Sequence, residues 1–386
     1  MMRDPVLIDV VRTPIGKRGG LLSTRHAAEV LGHVQRAVLE RSGIEPEAVG
    51  QLVGGCVTQI GEQSFNTTRM AWLHAGLPYA VGASTLDCQC GSSQQANHVI
   101  RDMIAAGTIE VGIACGVEMM SRVEIGANTL GPGRPKPIGF PYDLPNQFVA
   151  AERIASKHGI TRSEADAYGV RSQLRAARAA AEGRVRREIV PIEMPRRAAA
   201  GQDAGLALID ADEGIRPTTA EGLKGLRPVI TDGIHTAGTI SQISDGAAAA
   251  LWMDAETARA RGLRPRARIR RHVLVGSDPY MHLEGPIDAT RALLDRAGMT
   301  IADIDVFEIN EAFASVVLGW QRSFDVEPER LNPNGGAIAL GHPLGATGTR
   351  LIAAAVAELE RRDEETALVA MCCGGAVATG TILQRV

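Results

Sequence analysis

The stretch Thr85-Leu86-Asp87-Cys88-Gln89-Cys90-Gly91-Ser92-Ser93-Gln94-Gln95-Ala96 turns a strand-like approach into a helix within a few residues. The spacing predicts a helix over Ser93 to Ala106, with Ala96, Val99, Ile100, Met103 and Ile104 on one apolar face and Gly107 as its stop. Cys90 then stands at a helix N-terminus, beside unpaired backbone N–H groups and the positive end of the dipole. Such a setting lowers a thiol pKa from ~8.5 into the range of roughly 3.5–7.5, where thiolate forms at neutral pH. Gly91 leaves room for a close approach to the sulfur. Read alone, the stretch fits a buried structural cysteine equally well.

Outward from it, strand-like runs alternate with helical ones. Val6 to Val11, Gln51 to Cys56 and Val111 to Cys115 read as buried strands, and Ala27 to Ser42 and Glu62 to Ala75 as helices. This alternation predicts an α/β architecture with largely parallel pairing. A repeat is also visible. Arg41-Ser42-Gly43-Ile44 is followed by Val49 and Leu52, and Arg296-Ala297-Gly298-Met299 by Ile304 and Phe307 at the same spacings. Each half later ends a strand in cysteine and glycine, Ala114-Cys115-Gly116 and Cys372-Cys373-Gly374. The shared order argues for two similar halves.

Between them, Val117 to Ile240 has a different texture. It opens with Gly131-Pro132-Gly133-Arg134-Pro135-Lys136-Pro137, which suits neither strand nor helix. Leu144 to His158 and Ser163 to Glu182 read as helices, and Arg184 to Gly205 as polar and turn-rich.

Composition narrows the class. The 386 residues are long for one core, 45% are apolar, and only 3% are aromatic, with alanine and glycine abundant instead. A net charge of −3 with both signs interleaved argues against a nucleic-acid partner. No apolar run reaches membrane-spanning length, and the N-terminus lacks a signal pattern. Six cysteines in such a chain read as reduced thiols, so a soluble cytoplasmic protein is expected. No Gly-rich phosphate loop of Rossmann or P-loop type is present. Cys88-x-Cys90 and Cys372-Cys373 lack the spacing of a structural zinc site, so no metal is expected.

Three further stretches join the Cys90 loop: Asn310-Glu311-Ala312-Phe313, Gly341-His342-Pro343-Leu344-Gly345 and Cys372-Cys373-Gly374-Gly375. Together they resemble, in order and over essentially the whole chain, the active-site motifs of the thiolase family. The resemblance implies the thiolase fold, two βαβαβαββ halves packed as a five-layer α-β-α-β-α core with an inserted loop domain. It places residues 1–117 in the N-terminal half, with 241–265 returning to it, 118–240 in the loop domain, and 266–386 in the C-terminal half. The insert then covers the active site and carries coenzyme A contacts, serves oligomerisation, or does both.

The resemblance also assigns roles. Cys90 attacks a 3-ketoacyl-CoA and is acylated, chemistry that suits a thiolate. His342 helps generate that thiolate, and Asn310 holds a water that forms an oxyanion hole with the histidine. Cys372 is the acid/base cysteine, selected over Cys373 by its spacing to Gly374. Side chains alternate at a strand end, so only one of the two adjacent thiols can face Cys90. The N–H of Gly374, with that of Cys90, matches a second oxyanion hole. Cys88 reads as a packing residue. Thr236-Ala237-Gly238-Thr239-Ile240-Ser241 resembles the segment whose serine, here Ser241, touches the pantetheine arm, although Thr239 replaces the family's asparagine. Arg216 and Arg227 lie where the family places basic residues near the nucleotide. Coenzyme A enters as substrate, with no separate cofactor, and the family's assemblies imply a homodimer or homotetramer.

Asp278-Pro279-Tyr280-Met281-His282-Leu283-Glu284-Gly285-Pro286 departs from the family's small acyl-pocket segment, and His282 and Leu283 change its shape. Gly55-Cys56-Val57-Thr58-Gln59 and Gln94-Gln95-Ala96-Asn97-His98 look like actinobacterial thiolases that shorten steroid side chains. The expectation is thiolytic release of acetyl-CoA from a bulky 3-ketoacyl-CoA. The alternatives are a biosynthetic enzyme condensing two acetyl-CoA and a non-catalytic acyl-CoA-binding protein. A ketoacyl-carrier-protein synthase shares the fold, but the Cys372-x-Gly374 tail argues against it.

Overall fold

The computed structural model describes residues 3–195 and 205–386. The first half runs β1 (Pro5–Arg12), β2 (Gly16–Lys17), α1 (Ala27–Ser42), β3 (Gln51–Gly55), α2 (Thr67–His74), β4 (Gly82–Leu86), α3 (Ser92–Ala105) and β5 (Val111–Met119). An intervening region carries α4 (Gln147–Lys157), α5 (Arg162–Ala181), β6 (Ile192–Pro195), β7 (Leu206–Ile209) and α6 (Ala220–Lys224). The chain then returns to the first half in β8 (Ser244–Asp254) and α7 (Ala255–Ala260). The second half comprises β9 (Ala267–Gly276), α8 (Gly285–Ala297), β10 (Val306–Ile309), α9 (Ala314–Phe324), α10 (Ala337–Leu340), α11 (Leu344–Arg362), β11 (Thr366–Cys373) and β12 (Val377–Arg385). Part of the stretch read as turn-rich, Arg184 to Gly205, lies outside the described residues.

The strand order is β10-β11-β12-β9-β1-β8-β5-β3-β4, with β2 pairing to β8. Read outward from the middle, β9-β12-β11-β10 mirrors β1-β8-β5-β3, so the halves correspond strand for strand. Among the described residues, Leu7 and Ala267 are the one strand pair across the junction of the two halves. The helices follow the same plan. Helices α1 and α2 cover the outer face of the first half and α8 that of the second, while α3 and α11 pack on each other between the two. These are the five expected layers. The sequence repeat also has a structural counterpart. Helices α1 and α8 both end on a left-handed glycine, Gly43 and Gly298, each at φ 62°, and each leads through a 3-10 turn into an inner strand.

Three details differ from the sequence reading. Pairing is not largely parallel: β3 is parallel to β4 and β5, and β10 to β11, but β8 and β12 run antiparallel to both neighbours. Parallel pairs occur where a helix crosses between strands, and β12 follows β11 through a tight turn that permits only antiparallel pairing. The helix expected over Glu62 to Ala75 is broken, because Phe65 and Asn66 adopt positive φ and the Asn66 side chain caps α2. In the second half, the strand corresponding to β4 shrinks to one bridge, Phe307 to Leu331. There the Asn332 side chain stands in for a strand peptide, accepting from Ile309 N at 2.8 Å and donating to Ile309 O at 2.8 Å.

The central layer also departs from a simple amphipathic reading. Helix α3 is buried on its polar side as well, where Gln94, Asn97 and His98 are fully enclosed. Each is hydrogen-bonded across the layer. Gln94 donates to Thr381 Oγ1 at 2.7 Å, Asn97 donates to Thr349 Oγ1 at 2.9 Å, and Trp252 Nε1 donates to Asn97 Oδ1 at 2.7 Å. A buried amide left unpaired costs about 1–3 kcal/mol, so these contacts fix α3 against α11, β12 and β8. Gly348 lets the two helices meet, since a Cβ there would lie 2.3 Å from Gln94 N.

Candidate active site

The loops preceding the two central helices face the same place. Before α3, Gln89 is held at φ 49° with its N–H donating to Asp87 Oδ1 at 2.7 Å. Cys90 follows on this tight turn, with Gly91 as the helix cap. Gly91 fits closely against the second half, as a Cβ there would sit 2.7 Å from Cys373 Sγ. The backbone N–H groups of Gly374 and of Cys90 itself favour the thiolate form of the Cys90 sulfur. Cys90 is buried, and dehydration pushes its thiol up to about 12, the N–H groups offsetting only part of the rise. This corrects the expectation of a lowered pKa from helix position alone. The helix N-terminus is present, but loss of water outweighs it.

Before α11, Gly341 has φ 112° and Pro343 caps the helix, which fixes the backbone on both sides of His342. Thr347 Oγ1 donates to the Pro343 carbonyl at 2.9 Å and therefore accepts from His342 Nδ1–H at 2.7 Å. This assigns the tautomer and leaves Nε2 with its lone pair, facing Asn310 Nδ2 at 3.3 Å. Burial, and then the charge of Arg350, lower His342 to about 3, so the ring is a neutral base. Asn310 Oδ1 is buried beside it without a hydrogen-bond partner among the described residues. The amide is thus positioned to accept from a further group.

At the end of β11 the adjacent cysteines diverge, as strand alternation requires. Cys372 joins an apolar cluster with Met281, Leu283, Ala312, Phe313 and Val316. Burial, and then the charge of Cys90, raise its thiol. Cys373 points instead to Cys88, and the two thiols hydrogen-bond. Cys88 is therefore a partner of Cys373 as well as a packing residue.

Two buried carboxylates that the sequence reading did not single out hold this geometry. Glu118 accepts from Val57 N and Thr58 N at 3.0 Å, from Gln63 Nε2 at 2.9 Å and from Gly345 N at 2.9 Å. It ties the loop after β3 to the histidine loop, and burial raises its pKa despite these donors. Glu311 accepts from Tyr168 Oη at 2.8 Å, Ser172 Oγ at 2.7 Å and Ile338 N at 3.0 Å. It pins α5 of the intervening region to the asparagine segment. The available signal was a lone charge in an otherwise apolar strand for Glu118, and for Glu311 its place beside Asn310.

The remaining candidates divide. Ser241 lies beside the asparagine segment, its N–H donating to Ala312 O at 3.0 Å. Thr239 Oγ1 accepts from Thr236 N at 2.8 Å, a local bond that its hydroxyl supplies. Leu283 packs in the Cys372 cluster. His282 uses both ring nitrogens on backbone: Nε2 accepts from Gly375 N at 3.0 Å and Nδ1–H donates to Pro145 O at 2.9 Å. It shapes the site by clamping the turn that carries Gly374, and has no ring nitrogen left for a ligand. Arg216 and Arg227 are exposed, and neither forms an ion pair with a described residue. Among the described residues, no cluster of three or more His, Cys, Asp or Glu side chains could hold a metal ion, and no helix is long and apolar enough to cross a membrane.

Comparison with known proteins agrees with this arrangement. Residues 5–256 match the thiolase N-terminal domain and 263–385 the thiolase C-terminal domain. The steroid 3-ketoacyl-CoA thiolase FadA6 of Mycobacterium tuberculosis is 41% identical over 100% of this chain and 95% of its own length. A 3-ketoacyl-CoA thiolase of Aeromonas hydrophila is likewise 41% identical, over 100% of both chains. Among solved structures, the Bacillus anthracis acetyl-CoA acetyltransferase superposes with a TM-score of 0.91 at 33% identity, and human mitochondrial 3-ketoacyl-CoA thiolase with 0.89 at 34%, each covering 100% of this chain and 99% of the other. With Cys90 under the Gly374 N–H and a neutral His342 against Asn310, the chain belongs to the thiolase family of acyltransferases.

Proposed function

We propose that this enzyme cleaves a 3-ketoacyl-CoA with coenzyme A, giving acetyl-CoA and a shortened acyl-CoA. The observation that carries the reading is the His342 tautomer, which leaves Nε2 as an acceptor facing Asn310 Nδ2 at 3.3 Å, in a chain whose Cys90 thiol burial keeps protonated. Nε2 takes the Cys90 proton as the sulfur adds to the 3-keto carbon. The C2–C3 bond then breaks, the departing acetyl-CoA carbanion takes a proton from Cys372, and the acyl group remains on Cys90. The N–H groups of Gly374 and Cys90 stabilise the thioester oxyanion, and Asn310 with His342 polarises the departing thioester carbonyl. A second coenzyme A gives its proton to Cys372, attacks the acyl-Cys90 thioester and releases the shortened product. Cys90 regains its proton from His342.

For the acyl group we favour a bulky, steroid side-chain ester. Leu283 and Met281 against Cys372, in a segment held by His282, support a reshaped acyl wall. The 41% identity to a steroid thiolase supports the same choice, although an ordinary 3-ketoacyl-CoA thiolase is equally similar. Ser241, Arg216 and Arg227 are the residues proposed to meet coenzyme A, with residues 118–240 as the covering domain between halves 1–117 plus 241–265 and 266–386. The working setting is cytoplasmic. The half-exposed outer strand β4, with Tyr79 and Phe65 each 84% exposed nearby, supports at least a homodimer joined at this edge.

The test is thiolysis of a panel running from acetoacetyl-CoA to a steroid side-chain 3-ketoacyl-CoA, followed by loss of ketothioester absorbance. Activity rising toward the bulky ester is expected. Best activity with acetoacetyl-CoA would move the enzyme to the short-chain, biosynthetic reading, and binding without turnover on any member would overturn the catalytic one.

A further inference from the structure

At the C-terminal end of α11 lies a cavity of about 590 Å3, whose walls carry six arginines and Glu329. Helix α11 spans 19 residues, about 27 Å, between the histidine loop and Arg362. None of Cys90, Asn310, His342, Cys372, Ser241, Arg216 and Arg227 lines the cavity, so it is separate from the proposed acyl and coenzyme A residues. Its size falls within the range of small-molecule sites.

The charge balance is the informative feature. Arg361 and Arg362 share Glu358, the first at 2.6 Å, and Arg184 meets Glu182 at 2.5 Å. Arg171, Arg175 and Arg178 have no such direct pairing, although Glu329 also lines the cavity and acts on Arg175 from a distance. They recur at i, i+4 and i+7 on α5, so they share one face of the helix. None of the three forms an ion pair with a described carboxylate. Arg175 spends its guanidinium on backbone, donating to Pro328 O at 2.8 Å. Arg171 lies over the Tyr168 ring at 4.8 Å, and its Nη2 is buried without a hydrogen-bond partner. Burial, and then the charge of Arg171, lower the pKa of Arg175, with Tyr168, Glu329 and Glu311 opposing the shift. Val170 and Leu174 supply an apolar wall beside them, with Leu174 61% exposed.

Guanidinium forks at this density match phosphate oxygens bidentately. The apolar wall gives a flat organic body a surface to lie on. We propose that this cavity is a second ligand site, separate from the thiolysis centre, that binds a small molecule carrying two or more linked phosphates, of the nucleoside di- or triphosphate class. The anion would pair with Arg171 and Arg178 and offset the charge that Arg171 places on Arg175.

The experiment is titration calorimetry on the full chain with ADP, pyrophosphate and adenosine. ADP and pyrophosphate are expected to bind one per chain, more weakly as salt is raised, with adenosine at least about tenfold weaker than ADP. The double variant R171Q/R178Q should weaken ADP and pyrophosphate by at least about tenfold, while thiolysis of acetoacetyl-CoA stays unchanged. Leu174→Glu, at an exposed wall position that folding does not need, should do the same by repelling the anion. ADP binding that survives both variants would overturn the proposal, as would adenosine binding as tightly as ADP. Binding lost in R216Q/R227Q instead would also overturn it, since ADP would then be occupying the coenzyme A site.

Discussion

Helices α3 and α11 occupy the same position in the two halves, yet the turns that lead into them carry different chemistry. The α3 turn bends through Gln89 at positive φ and presents a thiol, Cys90. The α11 turn bends through Gly341 and is stiffened by Pro343, and it presents an imidazole, His342. A repeated scaffold thus supplies two helix N-termini, and divergence of a few residues gives one the thiol proposed as nucleophile and the other the imidazole proposed as its base. The difference extends to charge. Burial raises the thiol to about 12 and lowers the imidazole to about 3, so both groups rest neutral. A neutral pair can sit in a dry core that an ion pair could enter only at a large desolvation cost. The charge then appears only as substrate arrives, when the oxyanion donors can stabilise it.

The comparison can be broken most severely at the two turns themselves. Cys90→Ala should abolish thiolysis, by at least about 10⁴-fold, and His342→Ala should cost roughly 10²–10⁴-fold in kcat, each measured with the preferred 3-ketoacyl-CoA. In the free enzyme, iodoacetamide alkylation of Cys90 should keep rising with pH from about 7 to 9 without a plateau, because the thiol titrates only near 12. A plateau near neutrality would mean a thiolate in the resting state, and the neutral-pair account would fail.

A smaller effect should sharpen the comparison from the imidazole side. The folded pKa of His342, about 3, lies below the unfolded value of about 6.5. The stability it contributes is therefore full above about pH 6.5 and is lost as pH falls toward 3, because only the unfolded chain takes up the proton. Thermal midpoints measured from pH 7 down to pH 5 should drop less steeply in His342→Gln than in the parent. Equal slopes would show that the ring titrates normally in the fold.

The smallest expected effect lies in the clamp on the Gly374 turn. His282→Ala removes the acceptor of Gly375 N–H and the donor to Pro145 O, and should lower stability by about 1–3 kcal/mol. If the clamp positions the oxyanion donors, kcat should fall several-fold with KM nearly constant. A rise in KM alone would make His282 a substrate contact instead.

Much of this was legible in short segments. The alternation of strands and helices, the duplicated Gly43 and Gly298 caps, and the four motifs around Cys90, Asn310, His342 and Cys372 all lie in contiguous runs whose period or residue types speak for themselves. Less legible was whatever depends on segments meeting from far apart. The face of α3 that carries Gln94, Asn97 and His98 reads as a solvent face, but α11 and β12 bury it. Glu118 and Glu311 look like isolated charges until the backbone N–H groups they collect are in view. The pairing of Cys373 with Cys88 likewise needs both halves present.

By itself, then, the sequence determined the family's motifs, and with them the residues proposed to carry the chemistry, and the order of most local elements, because motif spacing and hydrophobic period are local properties. Only the tertiary structure decided the protonation of Cys90 and His342, since desolvation and hydrogen bonding are sums over every segment that closes around a side chain. It also decided that the arginine-rich face of α5, with Arg171, Arg175 and Arg178, meets Arg361 and Arg362 at the end of α11.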